Sequence, residues 1–310
     1  MTDLSSFVVG QFIGGRAFFF GMALCLLGCS LRTFFSKPRL HSSARITVWA
    51  GVVVVVLSAA PFSFWVYGLF FAFLALAAFQ PASGLWLGKK TASVFMVLLL
   101  GQSLLMICTE VLYSMPPKIR LATGDTLFVV GDSVSIGADR PGKNWPDLLG
   151  DLAGLKVRNF SFGGAKVESA LDNARRINQD DALVILEIGG NDLLGGTSIP
   201  KFRQDLEKML TLVCGPHRRV AMIELPLPPF YNRYGMVQRA LAKSHGVTLI
   251  PKHYIAKIMS TPGATVDGLH LNNTGHILLA HALFEMLARP GPGSEAPALL
   301  PAQGPQTRGG

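Results

Sequence analysis

Four apolar runs, at 7–31, 46–60, 62–79 and 91–113, fill the first 113 residues, broken by only seven basic and two acidic side chains. A helix needs about 17–25 apolar residues to cross a bilayer, and in lipid every backbone polar group must be satisfied within the segment. An α-helical transmembrane region of about four helices is therefore expected over residues 1–113. The second and third runs are short and meet at Pro61. They read as a tight helical hairpin, or as a single bent or re-entrant element. The whole chain is 50% hydrophobic and 15% charged, against about 25% charged in an average soluble domain.

Basic residues in short loops mark the cytoplasmic side. Arg32, Lys37, Arg39 and Arg45 lie between the first two runs, and Lys89 and Lys90 between the last two. With both loops inside, four spans put the N-terminus and everything after Tyr113 outside: a multi-pass protein of a bacterial inner membrane, its second part facing the periplasm or exterior. Leu26-Leu27-Gly28-Cys29 resembles a lipoprotein cleavage box, but cleavage there would invert this orientation against the loop charges. GLWLGKK at 84–90 is too short between its glycines for a phosphate-binding loop and lacks the GK[ST] ending. Arg16 and Glu110 would be costly facing lipid; each is expected near a helix end, snorkelling outward.

The formal charge of +9 raises the question of nucleic acid, yet no dense basic run or nucleic-acid motif follows Tyr113, so no nucleic-acid partner is expected. Cys25, Cys29 and Cys108 fall in apolar stretches and leave Cys214 alone in the polar part. No disulfide is expected there. Without CxxC, HExxH or zinc spacing, neither a metal nor a cofactor is expected.

Residues 114–123, with Pro116-Pro117, read as a linker. After it, strand-length apolar runs at 126–130, 157–160, 183–188, 220–224 and 247–250 alternate with helical patterns at 145–152, 166–177, 199–214, 233–244 and 274–287. That alternation predicts an α/β domain over 124–289, a flavodoxin-like parallel sheet between two helical layers. Residues 290–310 are rich in proline and glycine and are expected to be a disordered tail.

Ligands of open parallel sheets bind beyond the carboxyl ends of the strands. Gly131-Asp132-Ser133, Ser161-Phe162-Gly163-Gly164 and Gly189-Gly190-Asn191-Asp192 each follow a strand, and Asp267-Gly268-Leu269-His270 precedes the last helix. A serine becomes a strong nucleophile when a base takes its proton and a third group holds that base in the right tautomer. Ser133, His270 and Asp267 are the candidates for these parts. Oxyanion donors would be the backbone N–H groups of Ser133 and Gly164 and the Asn191 amide. Asp132 and Asp192 suit turns or helix caps. The remaining histidines, His217, His245, His253, His276 and His281 among them, lack the DxxH context and suit surface or packing positions.

At these four blocks, extended to Gly131-Asp132-Ser133-Val134-Ser135 and Asn159-Phe160-Ser161-Phe162-Gly163-Gly164, the chain resembles the SGNH (GDSL) hydrolase superfamily. The stretch LEIGGNDL at 186–193 resembles its bacterial thioesterase I and lysophospholipase L1 group. The resemblance covers about 126–287 and implies Ser133 as nucleophile, Asp267 and His270 as the rest of the triad, and Gly164 and Asn191 as oxyanion donors. Spacing after Asn159 selects Gly164, with Gly163 one residue away as the alternative. No GxSxG elbow occurs, which disfavours an α/β-hydrolase.

The expected function is thus a membrane-tethered serine ester hydrolase acting through an acyl-enzyme on lipid, aryl or cell-envelope acetyl esters. An acyltransferase or deacetylase working on envelope polysaccharide is the alternative, and a catalytically silent binding domain a second. The partners expected are the acyl-ester substrate, a lipid or an envelope glycan among the options, and the membrane itself. Protein partners and oligomeric state are not legible. LPLPPFY at 225–231 reads either as an apolar wall for an acyl chain or as a buried loop.

Overall fold

The computed structural model describes residues 3–34, 38–78, 89–122, 124–136 and 142–288. Its N-terminal part is helical: α1 (Asp3–Ile13), α2 (Ala17–Phe34), α3 (Pro38–Leu57), α4 (Phe64–Ala78) and α5 (Lys89–Ser114). Residues 7–31, expected as one span, are instead two helices bent by 83°. The break falls at 14–16, where Gly15 has φ +81° and a Cβ would stand 2.9 Å from both the Ala59 carbonyl oxygen and Lys252 Cε. Only glycine fits that conformation and that space. Hydropathy is blind to such a bend because both flanks are equally apolar.

Among the described residues, the 93–114 part of α5 is long and apolar enough to cross a membrane, and α1 with α2 would make a second only as a bent pair. The apolar helices at 41–57 and 64–78 are shorter. Phe18, Met22, Cys25 and Cys29 of α2, Val48 and Val55 of α3, Phe70 and Leu74 of α4, and Leu99 and Met106 of α5 share one buried cluster.

The second part begins with β1 (Ile119–Arg120) and β2 (Thr126–Gly131), then α6 (Ser133–Ile136), α7 (Trp145–Ala153), β3 (Lys156–Asn159), α8 (Leu171–Arg175), β4 (Ala182–Glu187) and α9 (Gly190–Leu194). It continues through α10 (Ile199–Val213), β5 (Arg218–Ile223), α11 (Asn232–His245), β6 (Thr248–Ile250), α12 (Lys252–Met259), α13 (Asn273–Phe284) and β7 (Leu287–Ala288). Five strands form one parallel sheet in the order β3-β2-β4-β5-β6. All six residues of β2 and of β4 are buried, as a sheet covered on both faces requires. Alternate side chains serve opposite layers: Phe128, Val130, Val184 and Leu186 pack with α10 residues Phe202 and Leu206, while Leu127, Val129, Leu183 and Ile185 pack with Leu149, Ile255 and Leu279 of α7, α12 and α13.

Three local expectations are corrected. The 114–123 segment is not only a linker: β1 pairs in parallel with β7, and Ile119 and Leu121 are buried. The helix expected at 166–177 is shortened at both ends to α8, and ahead of it Ser169 Oγ accepts the Lys166 N–H and Asp192 Oδ2 the Val167 N–H. α12 was not foreseen. The tail at 290–310 and the 84–88 portion of the basic segment lie outside the described residues.

Glu110 also departs from expectation. It does not point outward but is buried against the α/β domain, accepting bonds from Arg239 Nη1 at 2.7 Å, Arg239 Nη2 at 3.0 Å and Lys252 Nζ at 2.9 Å. Glu224 completes the cluster, 2.7 Å from Arg239 Nε. The Arg239 guanidinium also lies over the Tyr113 ring at 4.0 Å. The two parts therefore meet through a buried cluster of two carboxylates and two cations, supplemented by Leu227 N–H donating to the Ile13 carbonyl at 3.1 Å.

Candidate active site

β2 delivers Ser133 to the carboxyl edge of the sheet as the first residue of α6. Asp132 ahead of it is buried, and its Oδ1 accepts the Val134 N–H at 3.0 Å, a cap on the short helix. One strand over, β4 ends at Glu187 and the chain turns at Gly189, whose φ of +108° releases it into α9 with Asn191 in the first turn. Asn191 Nδ2 donates to Asp132 Oδ2 and to the Ala165 carbonyl, both at 3.1 Å. Its direction is thus set from the β2 and β3 loops together.

His270 arrives from the loop before α13. Asp267 Oδ2 lies 2.6 Å from His270 Nδ1, and its Oδ1 accepts the backbone N–H groups of His270 at 2.8 Å and Leu269 at 3.0 Å. The His270 N–H, its ring and the Leu269 N–H hold the Asp267 carboxyl well below the usual carboxylate range. An ionised Asp267 makes Nδ1 the protonated nitrogen and leaves Nε2 free to accept a proton.

Ser133, Asn191 and His270 line one cavity of about 240 Å³. Its remaining wall is largely apolar, with Leu193 and Leu194 of α9, Leu225, Pro226 and Pro228, Ile255 and Met259 of α12, and Ile13. Part of LPLPPFY therefore does wall this cavity. Gly164 is in an exposed turn at φ +73°, beside the Ala165 carbonyl that holds Asn191, and does not itself line the cavity. Neither it nor Gly163 is crowded at the Cβ position. Asp192 is buried and accepts the Val167 N–H at 2.8 Å, and His276 is buried on α13, accepting the Trp145 N–H at 3.2 Å. Both therefore bind backbone within the fold.

Several residues of the cavity escaped the sequence reading, Glu187 and Ile13 among them. Glu187 is buried at the end of β4, and its Oε2 accepts the Ser135 hydroxyl at 2.8 Å. Burial, reinforced by repulsion from Asp132, pushes its carboxyl well above the ordinary value, and burial raises Asp132 as well. Burial and mutual repulsion thus oppose ionising both carboxyls together, and Glu187 is the more strongly raised of the two. The available signal was a lone acid closing the otherwise apolar strand ALVILE. Ile13 carried no such signal, since it sits in a run that reads as membrane span.

Among the described residues no group of three or more histidines, cysteines or acids gathers in a metal-binding arrangement. Residues 129–278 match the model of the GDSL-like Lipase/Acylhydrolase family. An arylesterase of Vibrio mimicus is 29% identical over 160 residues, 47% of this chain and 80% of the relative. The thioesterase 1/protease 1/lysophospholipase L1 of Escherichia coli K12 is 28% identical over 178 residues, 54% of this chain and 86% of the relative. Among solved structures, that of TesA is 26% identical with a TM-score of 0.46, covering 52% of this chain and 97% of its own. The family match leaves α1–α5 outside it. Over residues 129–278, just under half of the chain, the protein is thus similar to the GDSL-like lipase/acylhydrolase, or SGNH, family, a likeness that supports carboxylic ester hydrolase activity.

Proposed function

We propose that the protein is a membrane-tethered serine ester hydrolase, held by α1–α5 in a bacterial inner membrane with its α/β domain on the periplasmic side, and acting on acyl esters through Ser133, His270 and Asp267. The observation that carries the reading is the shared cavity of Ser133 and His270 together with the 2.6 Å contact from Asp267 to His270 Nδ1. In this mechanism His270 Nε2 takes the Ser133 proton as the hydroxyl oxygen attacks the acyl carbonyl. The tetrahedral oxyanion draws on the Ser133 N–H and the Asn191 amide, the two expected donors whose residues line the cavity, whereas Gly164 lies outside that lining. His270 then returns the proton to the departing alkoxide, and water repeats the cycle on the acyl-enzyme.

Both hydrogens of the Asn191 amide are engaged, by Asp132 and Ala165. In the transition state one must be shared with the oxyanion. The apolar wall from Ile13 to Met259 favours an acyl chain as the group transferred. A lipid or envelope ester fits a tether beside the bilayer.

Labelling of the detergent-solubilised full chain with a fluorophosphonate tests this reading. Wild type is expected to label, and Ser133→Ala and His270→Ala to lose labelling. A Ser133→Ala protein that labels and hydrolyses esters like wild type refutes it. A folded wild type that never labels favours a binding domain without catalysis.

A further inference from the structure

A second cavity, of about 270 Å³, lies between α1 and α12 and is lined by Phe7, Gly10, Gln11, Arg16, His253, Lys257 and the 260–262 turn. We propose that it binds a phosphate-bearing anion between Arg16 and Lys257, the polar headgroup of a phospholipid being the source the geometry favours.

The chemistry of the lining is one-sided. Arg16, His253 and Lys257 bring two fixed cations and an imidazole together with no carboxylate on the wall. Among the described residues neither Arg16 nor Lys257 enters an ion pair, whereas the neighbouring Lys252 is fully engaged by Glu110 and Glu224. Burial, then the charges of Arg16 and Lys252, push the His253 imidazole down to about 4; Glu224 opposes this, ahead of the further lowering by Lys257. Glu224 offsets this only in part, so the cavity holds a net positive potential at its exposed cations that a divalent anion would relieve, and His253 could take up a proton as it bound. Sugar hydroxyls fit less well. Ser260 Oγ donates to the Ala256 carbonyl at 2.8 Å and Thr261 Oγ1 to the Lys257 carbonyl at 2.8 Å, so their protons are spent inside the helix.

The lipid source follows from where Arg16 stands. It occupies the corner where α1 leaves the α2 axis at 83°, so if α2 runs along the bilayer normal, α1 lies near the membrane plane. Leu4, Phe7, Val8 and Val9 of α1 are all exposed, Phe7 at 58%. An interfacial helix with apolar side chains directed into lipid sets its neighbouring cations at phosphate depth. The cavity itself is independent of the catalytic reading, and only the lipid source rests on the membrane placement proposed above.

Two measurements on the full-length protein test the site, neither using ester hydrolysis. Inorganic phosphate is titrated calorimetrically in neutral detergent, and hydrogen exchange of α1 is compared in phosphatidylglycerol and phosphatidylcholine nanodiscs. Saturable phosphate binding is expected, weakened about tenfold or more by Arg16→Gln or by Lys257→Gln and largely kept in Arg16→Lys. Slower α1 exchange in phosphatidylglycerol, lost in the Arg16→Gln/Lys257→Gln protein, identifies the lipid source. Phosphate binding lost in the same variant with equal exchange in both nanodiscs supports the site with a free phosphate ester as its occupant. If neither arm responds to the paired substitution in protein whose circular dichroism is unchanged, the proposal is overturned.

Discussion

The junction between the helical region and the hydrolase domain rests on Glu110, and its removal is the most demanding perturbation the structure offers. Glu110→Ala leaves Arg239 and Lys252 to share Glu224, one positive charge in excess where all four side chains are at most 6% exposed. Breaking a buried ion pair by deleting one partner costs about 3–5 kcal/mol. For a chain of this size that corresponds to a fall in Tm of about 5–8 °C. Thermal unfolding of the detergent-solubilised protein, followed by circular dichroism, reads it directly. Replacing the whole cluster with methionine at 110, 224, 239 and 252 removes the imbalance as well as the attraction. It should cost less than Glu110→Ala alone, because desolvation offsets much of what a buried pair gains. A Glu110→Ala protein melting within about 2 °C of wild type would mean that water reaches these groups and that the two parts are not docked through them.

Two further outcomes concern the cavity wall and the acid side of stability. Ile13→Trp should fill part of the active cavity and lower kcat/KM for an octanoyl ester by about 10–200-fold relative to an acetyl ester, measured with matched p-nitrophenyl esters; an unchanged ratio would remove Ile13 from the acyl site. His253 is depressed from 6.5 to about 4, so the folded state binds fewer protons than the unfolded chain. Its contribution to stability is present above the unfolded value and is lost as pH falls from about 6.5 through about 4. His253→Gln should flatten the loss of Tm over that window in phosphate-free buffer, and a variant as acid-sensitive as wild type there would assign the loss to other groups.

Much of the α/β architecture was legible because burial on both sheet faces leaves its mark on composition. Runs such as TLFVV at 126–130 and LVILEI at 183–188 are too short for buried helices and too apolar for edge strands, and their alternation with amphipathic segments allows a parallel sheet. The four polar blocks were legible for a related reason: polar and glycine-rich turns directly after apolar strands have one place to go in such a sheet, its carboxyl edge. Local pattern was less reliable where a distant group decides the outcome. Asp192 holds the Val167 N–H from 25 residues away, in a stretch that reads as helix, and β7 recruits residues 119–120 from what reads as a linker.

Residue order alone sets the chemistry available to this protein: an apolar helical region, then a parallel α/β unit whose Ser133, Asn191, Asp267 and His270 stand in strand-end and loop positions. Only the tertiary structure decided what the helical region does to that unit. Ile13 becomes part of the active cavity, Glu110 meets cations about 130 and 142 residues away along the chain, and Arg16 joins His253 and Lys257 around a second cavity. Periodicity reports which face of an element is buried, whereas charge pairing and cavity lining depend on what another element brings to the same point in space. That information is absent from any local stretch of residues and appears when the chain closes on itself.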